Sequence, residues 1–195
     1  MNAPLPPPRE AQWPVGTVFT VGHSTLPIDR FVALLHAYAV DLLADIRTVP
    51  RSRHNPQFNS DALAASLATE RIGYAPMQAL GGLRRARKDS PNSGWRNAGF
   101  RGYADYMQTV PFENALEELI HLSRERRTAI MCAEAVPWRC HRSLVADALV
   151  VRDIPVVEIL SETSYRMHVL TPFARVEGER ISYPPQGTLP LFPPA

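Results

Sequence analysis

Four short apolar runs, TVFTV at 17–21, DLLADI at 41–46, TAIMCA at 128–133 and PVVEIL at 155–160, are separated by stretches whose apolar residues recur at helical spacing. That alternation constrains the fold more than any other feature of the chain. Runs of this length and composition read as strands. Between them Phe31, Leu34, Leu35 and Tyr38, then Phe112, Leu116, Leu119 and Ile120, then Leu144, Val145, Ala148 and Leu149 each form one apolar stripe, which is how a helix with a single face to bury is written. Strands joined by helices run parallel, and a parallel sheet needs cover on both faces. The expected fold is α/β: a single-domain three-layer sandwich with a mostly parallel sheet of about five strands, the weakest being GYAPM at 73–77.

With 195 residues, 45% of them hydrophobic, the chain is long enough for one well-buried core and short for two. Proline crowds residues 4–8 and 184–194, where it withholds backbone donors and disfavours helix and central strand. The division expected is a flexible arm over 1–15, an α/β domain over 16–183 and a flexible tail over 184–195. The opening MNAPLPPPREAQWP lacks a cationic start followed by an apolar run, and no segment has about 18 consecutive apolar residues, so a cytoplasmic protein without membrane contact is expected. Two cysteines make no disulfide framework, and reduced thiols follow. Lys and Arg number 21 against 19 acidic residues, so any attraction for a polyanion has to be local.

Ligands of open α/β sheets bind beyond the carboxyl ends of the strands, and those positions are strongly polar here. His23 and Ser24 follow the first strand, Asp45 and Arg47 the second, Cys132 and Glu134 the fourth. The plain alternative is that loops are polar anyway and that Asp45 and Arg47 make a structural ion pair. In EAVPWRCHRSLVADAL a helix is expected to open near 139–141, placing Cys140, His141 and Arg142 at its positive end, where a thiol is driven towards thiolate and free amides hold phosphate or carboxylate. Neighbours on a helix point roughly 100° apart, which makes Cys140 and His141 a poor nucleophile–base couple and His23 the better partner. The Cys132 to Cys140 spacing matches no standard zinc pattern, so no metal is assigned, and the sequence names no cofactor.

Arg51 and Arg53 flank the exit of the second strand. The segment 81–103 breaks the alternation, reads as a long loop, and adds Arg84, Arg85, Arg87, Lys88, Arg96 and Arg101 interleaved with Trp95, Phe100 and Tyr103. Cations mixed with aromatics neutralise phosphates and stack bases. A solvated loop pinned by a core tryptophan explains the same residues.

The motifs GHS, DIRTVPRSRHNPQFN, GYAPMQALGGLRR, GWRNAGFRGYADYM and MCAEAVPWRCHRSLVADAL, in this order over roughly 17–183, resemble the domain of unknown function 488. The resemblance implies a compact α/β domain with a preserved polar site and carries no reaction with it. Separately, Gln186, Leu189, Leu191 and Phe192 near the C-terminus are similar to the extended peptide by which bacterial proteins dock on the replicative sliding clamp; chance residues in a tail are the alternative.

Together these point to an enzyme acting on a nucleotide or nucleic acid in a repair or replication setting. Hydrolysis is favoured over redox chemistry because no dinucleotide fingerprint is present. Arg47, Arg51 and Arg142, helped by Ser24, Arg53, Arg84 and Arg96, would receive phosphate. Glu134 would be the general acid or base, Asp45 would orient Arg47 or share a proton with Glu134, and Cys140 or Cys132 would be the nucleophile of a covalent route. The alternatives are a non-catalytic binding module for nucleic acid or a phosphate ligand, and a thiol or metal sensor, which requires Cys132 and Cys140 within joint reach.

Overall fold

A computed structural model describes residue 8 and residues 11–185. Strands β1 (Val18–Gly22), β2 (Leu42–Asp45), β3 (Gly73–Pro76), β4 (Thr128–Cys132) and β5 (Val156–Ile159) are all parallel, and β6 (Tyr165–Met167) adds an antiparallel edge. The order across the sheet is β3-β2-β4-β1-β5-β6. The fold is the expected α/β sandwich, with six strands where about five were expected. The extra strand has three residues of which only Tyr165 is buried, so it carries no apolar run to announce it.

Side chains of successive strand residues alternate between two helical layers. Phe19, Val21, Leu43, Ala129, Met131 and Val157 pack under helices α1 (Ile28–Ala37) and α2 (Ser60–Thr69). Val18, Ala44, Ile130 and Val156 face helices α3 (Ala98–Tyr106), α4 (Val110–Glu125) and α5 (Arg142–Val150). The three apolar stripes of the sequence are α1, α4 and α5. Helix α2 has no comparable stripe: in SDALAASLAT only Leu63 and Leu67, one turn apart, are buried.

The segment expected as a loop over 81–103 ends in a helix. Asn97 caps α3, its Oδ1 accepting from the amides of Gly99 (2.8 Å) and Phe100 (3.3 Å). Gly99 and Gly102 lower the intrinsic helix preference of this stretch; a Cβ at Gly102 would lie 2.4 Å from the carbonyl oxygen of Arg84, so the glycine is required by close backbone packing. The rest of the segment is tied down rather than loose. Asp105 accepts from the Arg87 amide, Ser90 Oγ and Asn92 Nδ2, and Trp95 packs among Phe100, Phe173 and Tyr183.

The hairpin β7 (Arg175–Glu177) and β8 (Arg180–Ser182) closes the described chain. Trp13, which the sequence assigned to the arm over 1–15, packs edge-on against Phe19 and Tyr165. Gln186, Leu189, Leu191 and Phe192 lie outside the described residues. Among the described residues no helix is long and apolar enough to cross a membrane.

Candidate active site

The chain leaves β1 towards β2 on one face of the sheet and leaves β4 towards β5 on the other, which opens a crevice at the carboxyl ends of β1 and β4. A cavity of about 700 Å³ occupies it, within the range of small-molecule sites. Its wall includes His23, Ser24, Arg47, Arg51, Cys132, Glu134, Cys140 and His141. Asp45 and Arg142 stand behind the wall. Arg53, Arg84 and Arg96 do not line it, and Arg139, Gly82, Asn97 and Phe100 do.

One side of the wall is a buried polar lattice. The Arg47 guanidinium donates from Nε and Nη2 to the two oxygens of Asp45 (2.8 and 2.5 Å), from Nη2 to the Phe58 carbonyl (2.7 Å) and from Nη1 to His23 Nε2 (3.3 Å). Of its five N–H groups one on Nη1 is left for the cavity. Because arginine only donates, His23 Nε2 must accept, and Nδ1–H then donates to the Ser24 carbonyl at 2.8 Å. Burial drives the His23 pKa down to about 4, against the pull of that carbonyl, and the neighbouring Arg47 lowers it further. The ring is neutral and stacks on Phe58 with centroids 4.0 Å apart. Asp45 also accepts from Tyr74 Oη at 2.8 Å. Both its oxygens are engaged, and together they hold the Arg47 guanidinium in place.

The floor is different. Cys140 leads into α5 with extended backbone and His141 is the N-cap residue, so the helix starts at Arg142. The 100° argument for adjacent helical residues therefore does not apply to Cys140 and His141. His141 Nδ1 lies 3.7 Å from Cys140 Sγ and 3.9 Å from Cys132 Sγ. The thiols are partnered by His141, and His23 faces Arg47; the sequence-based assignment of His23 to the thiols is corrected on this point. His141 Nε2 is 3.2 Å from the Ile46 carbonyl, which can only accept, so Nε2 carries the proton and the Nδ1 lone pair points at both sulfurs.

The two thiols titrate as a pair. A hydrogen bond from Cys132 holds Cys140 well below the ordinary thiol range, with Arg142 adding to it against the opposing effect of burial. The same hydrogen bond, with burial, pushes Cys132 far up. Arg142 gives an independent reason for a thiolate at Cys140. Its side chain is 1% exposed, and its partners are the Glu134 carbonyl (2.6 Å), the Ala135 carbonyl (3.4 Å) and Cys140 Sγ (3.4 Å), with no carboxylate pairing it among the described residues. A buried guanidinium needs a counter-charge, and Cys140 supplies it. Arg142 thus braces the β4–α5 loop from inside, and Arg139 takes the place on the wall that the sequence reading gave to Arg142.

Glu134 is exposed at the rim, its Oε1 accepting from the Val136 amide at 3.2 Å. Arg84 lies over the Tyr106 ring (3.6 Å) and donates to the Gly81 and Ala79 carbonyls. Arg53 and Arg96 are exposed away from the cavity. Trp95 and Tyr103 pack inward, Tyr103 Oη donating to the Leu80 carbonyl, so the interleaved aromatics expected to stack bases are structural apart from Phe100.

A family model described as Domain of unknown function DUF488 matches residues 27–149, well over half of the chain. The chain belongs to the DUF488 family. The matched stretch is narrower than the 17–183 over which the motifs run, and it holds every named wall and floor residue except His23 and Ser24. No curated protein and no solved structure matched this DUF488 chain.

The wall residues that sequence reading left out are mostly small or backbone-defined. Gly82 carried a signal in the GG pair before LRR: a Cβ there would stand 2.4 Å from His141 Nδ1, so this glycine makes room for the imidazole. Arg139 sits in the same WRCHR run as Arg142, three positions before it, and sequence alone does not tell which of the two reaches the wall.

Proposed function

We propose that the protein is a hydrolytic enzyme acting on a nucleotide or a nucleic-acid end, with the Cys132–Cys140–His141 floor as its reactive centre. The observation that carries this reading is one cavity in which the thiols Cys132 and Cys140 and the cations Arg47, Arg51 and Arg139 share a wall. The free Nη1 hydrogen of Arg47 and the two exposed guanidinium groups are donors for a phosphate. Glu134 at the rim is placed for proton exchange between the reacting group and solvent. The ordered 81–97 segment, with Arg84 engaged internally and Arg87 paired with Asp89 at 2.7 Å, favours a compact ligand over an extended nucleic-acid track. The tail carrying Gln186, Leu189, Leu191 and Phe192 supplies, on sequence grounds alone, docking to a sliding clamp as the setting of that activity.

The test is a titration of the full chain with nucleoside mono-, di- and triphosphates against the same nucleosides without phosphate. Preference for the phosphorylated forms is expected, falling about tenfold, or about 1.4 kcal/mol, in Arg51→Ala and in Arg139→Ala. Equal affinity for phosphorylated and free nucleosides, or no binding of either, removes the reading.

The second reading, a thiol or metal sensor, is favoured by one observation: Cys132 and Cys140 are within joint reach of His141.

A further inference from the structure

We propose that Cys132 Sγ, Cys140 Sγ and His141 Nδ1 form a three-ligand site for a divalent, borderline-soft metal of the zinc class, with its fourth position open to the cavity. This deepens the hydrolytic reading by naming its reactive centre, but it stands on ligand geometry that does not depend on any substrate.

The three ligating atoms all lie within 4.8 Å of one another. Zinc bonds of about 2.3 Å to sulfur and about 2.0–2.1 Å to nitrogen make a tetrahedron whose S···N edges are about 3.6 Å and S···S edges about 3.8 Å. The observed S···N separations are 3.7 and 3.9 Å. These are close to the edges of such a coordination sphere, and the S···S separation lies within 4.8 Å, so a modest side-chain adjustment brings the three atoms to tetrahedral spacing.

The surroundings match what a metal ligand set requires. The Ile46 carbonyl fixes the His141 tautomer from the far nitrogen and leaves Nδ1 as the ligand atom, a backbone carbonyl in the role usual for metal-bound histidines. Arg142 Nε, 3.4 Å from Cys140 Sγ, is the outer hydrogen bond that orients a coordinating thiolate. All three residues line the cavity, and structural zinc sites with four protein ligands have no such open face. A metal held this way would polarise water or a substrate oxygen at its fourth position.

The absence of a zinc spacing in the sequence does not weigh against this. Knuckle patterns describe ligands on one tight loop, whereas Cys132 ends a strand and Cys140 and His141 stand across a 3-10 turn, Pro137–Arg139, at the head of a helix.

The experiment uses the reduced full chain, freed of metal with a chelator and titrated with Co2+ and with Zn2+. One equivalent of Co2+ should give sulfur-to-metal charge-transfer absorption with the visible bands of tetrahedral coordination, and Zn2+ should abolish both. Cys132→Ser, Cys140→Ser and His141→Ala should each weaken binding at least tenfold. Because Cys140→Ser also unpairs Arg142 and endangers the fold, the wild-type chain carries a second readout: one equivalent of Zn2+ should protect both cysteines from alkylation together. Absence of a charge-transfer band, a stoichiometry unchanged in all three variants, or protection of one cysteine alone overturns the site. Phosphate preference retained without metal binding overturns this inference and leaves the nucleotide reading standing; metal binding without phosphate preference does the reverse.

Discussion

His168 and His141 sit at two places where side chains of opposite character meet, and the contrast between them separates what holds the molecule together from what it has to work with. His168 lies between α5 and β5, its Nε2 2.8 Å from Asp147 and its Nδ1 2.7 Å from Glu158. Asp147 accepts in addition from the Thr171 amide and Tyr183 Oη, and Arg166 pairs with Glu158. Every partner is engaged at normal hydrogen-bond range or closer, so the cluster fastens the segment after β6 to the sheet and offers nothing to a ligand. His141 has one nitrogen on a carbonyl and the other facing two sulfurs at 3.7 and 3.9 Å, and it borders the cavity. A closed polar cluster specifies structure, whereas one that borders a cavity leaves its groups accessible to a ligand.

The largest effect is expected in the closed cluster. Asp147→Ala strands His168 and Tyr183 Oη in a buried setting and should cost about 3–5 kcal/mol of stability, read as a fall in denaturation midpoint. Alkylation kinetics of Cys140 in the folded fraction should stay as in the parent chain; a change there breaks the separation of the two regions.

Next comes the pH dependence of the same cluster. Burial alone would lower the His168 pKa, but the Asp147 and Glu158 carboxylates outweigh it and raise it to about 9 from an ordinary 6.5. A folded pKa above the unfolded one gives stability that is full below about pH 6.5 and is lost as pH rises through about 9, on the order of 3 kcal/mol across the window. Thermal melts of the parent chain should show that decline, and melts of His168→Gln should lack it.

A smaller effect, and one confined to the open cluster, is expected for Gly82→Ala. The added methyl displaces the His141 ring from the two sulfurs at a cost of about 1–3 kcal/mol. The alkylation rate of Cys140 should change while the His168-dependent part of the melting curve stays in place. Smallest of all is Cys132→Ser, which keeps a hydrogen-bond donor beside Cys140: a stability change within about 1 kcal/mol and continued acid reactivity of Cys140 are expected, whereas Cys132→Ala should shift that reactivity towards ordinary thiol pH.

The closed cluster was invisible in the sequence, since Asp147 in α5, Glu158 in β5, His168 after β6 and Tyr183 after β8 are linked by no short-range pattern. The open one was half visible. Residues at strand ends stand out because each core strand is an apolar run with a polar successor, and His23, Arg47, Cys132 and Glu134 were legible that way. The pairing within the site was not. Whether His23 or His141 faces the thiols depends on α5 beginning at Arg142 instead of one to three residues earlier, a boundary that sequence patterns fix only loosely. Helices α2 and α3 were hidden for a related reason: one is built on alanine, and the other carries two glycines required by packing.

The contact between His141 and the Ile46 carbonyl joins residues 95 positions apart, so no fragment of the chain carries the floor of the cavity. Occupancy there is consequently tied to the survival of the whole molecule. A ligand at a hundred times its dissociation constant adds about 2.7 kcal/mol to the folded side of the equilibrium, a large share of what a domain of this size has in reserve. On the proposed reading, copies that hold a ligand would outlast proteolysis and empty copies would be cleared first, so the amount of protein would follow the supply of what it binds.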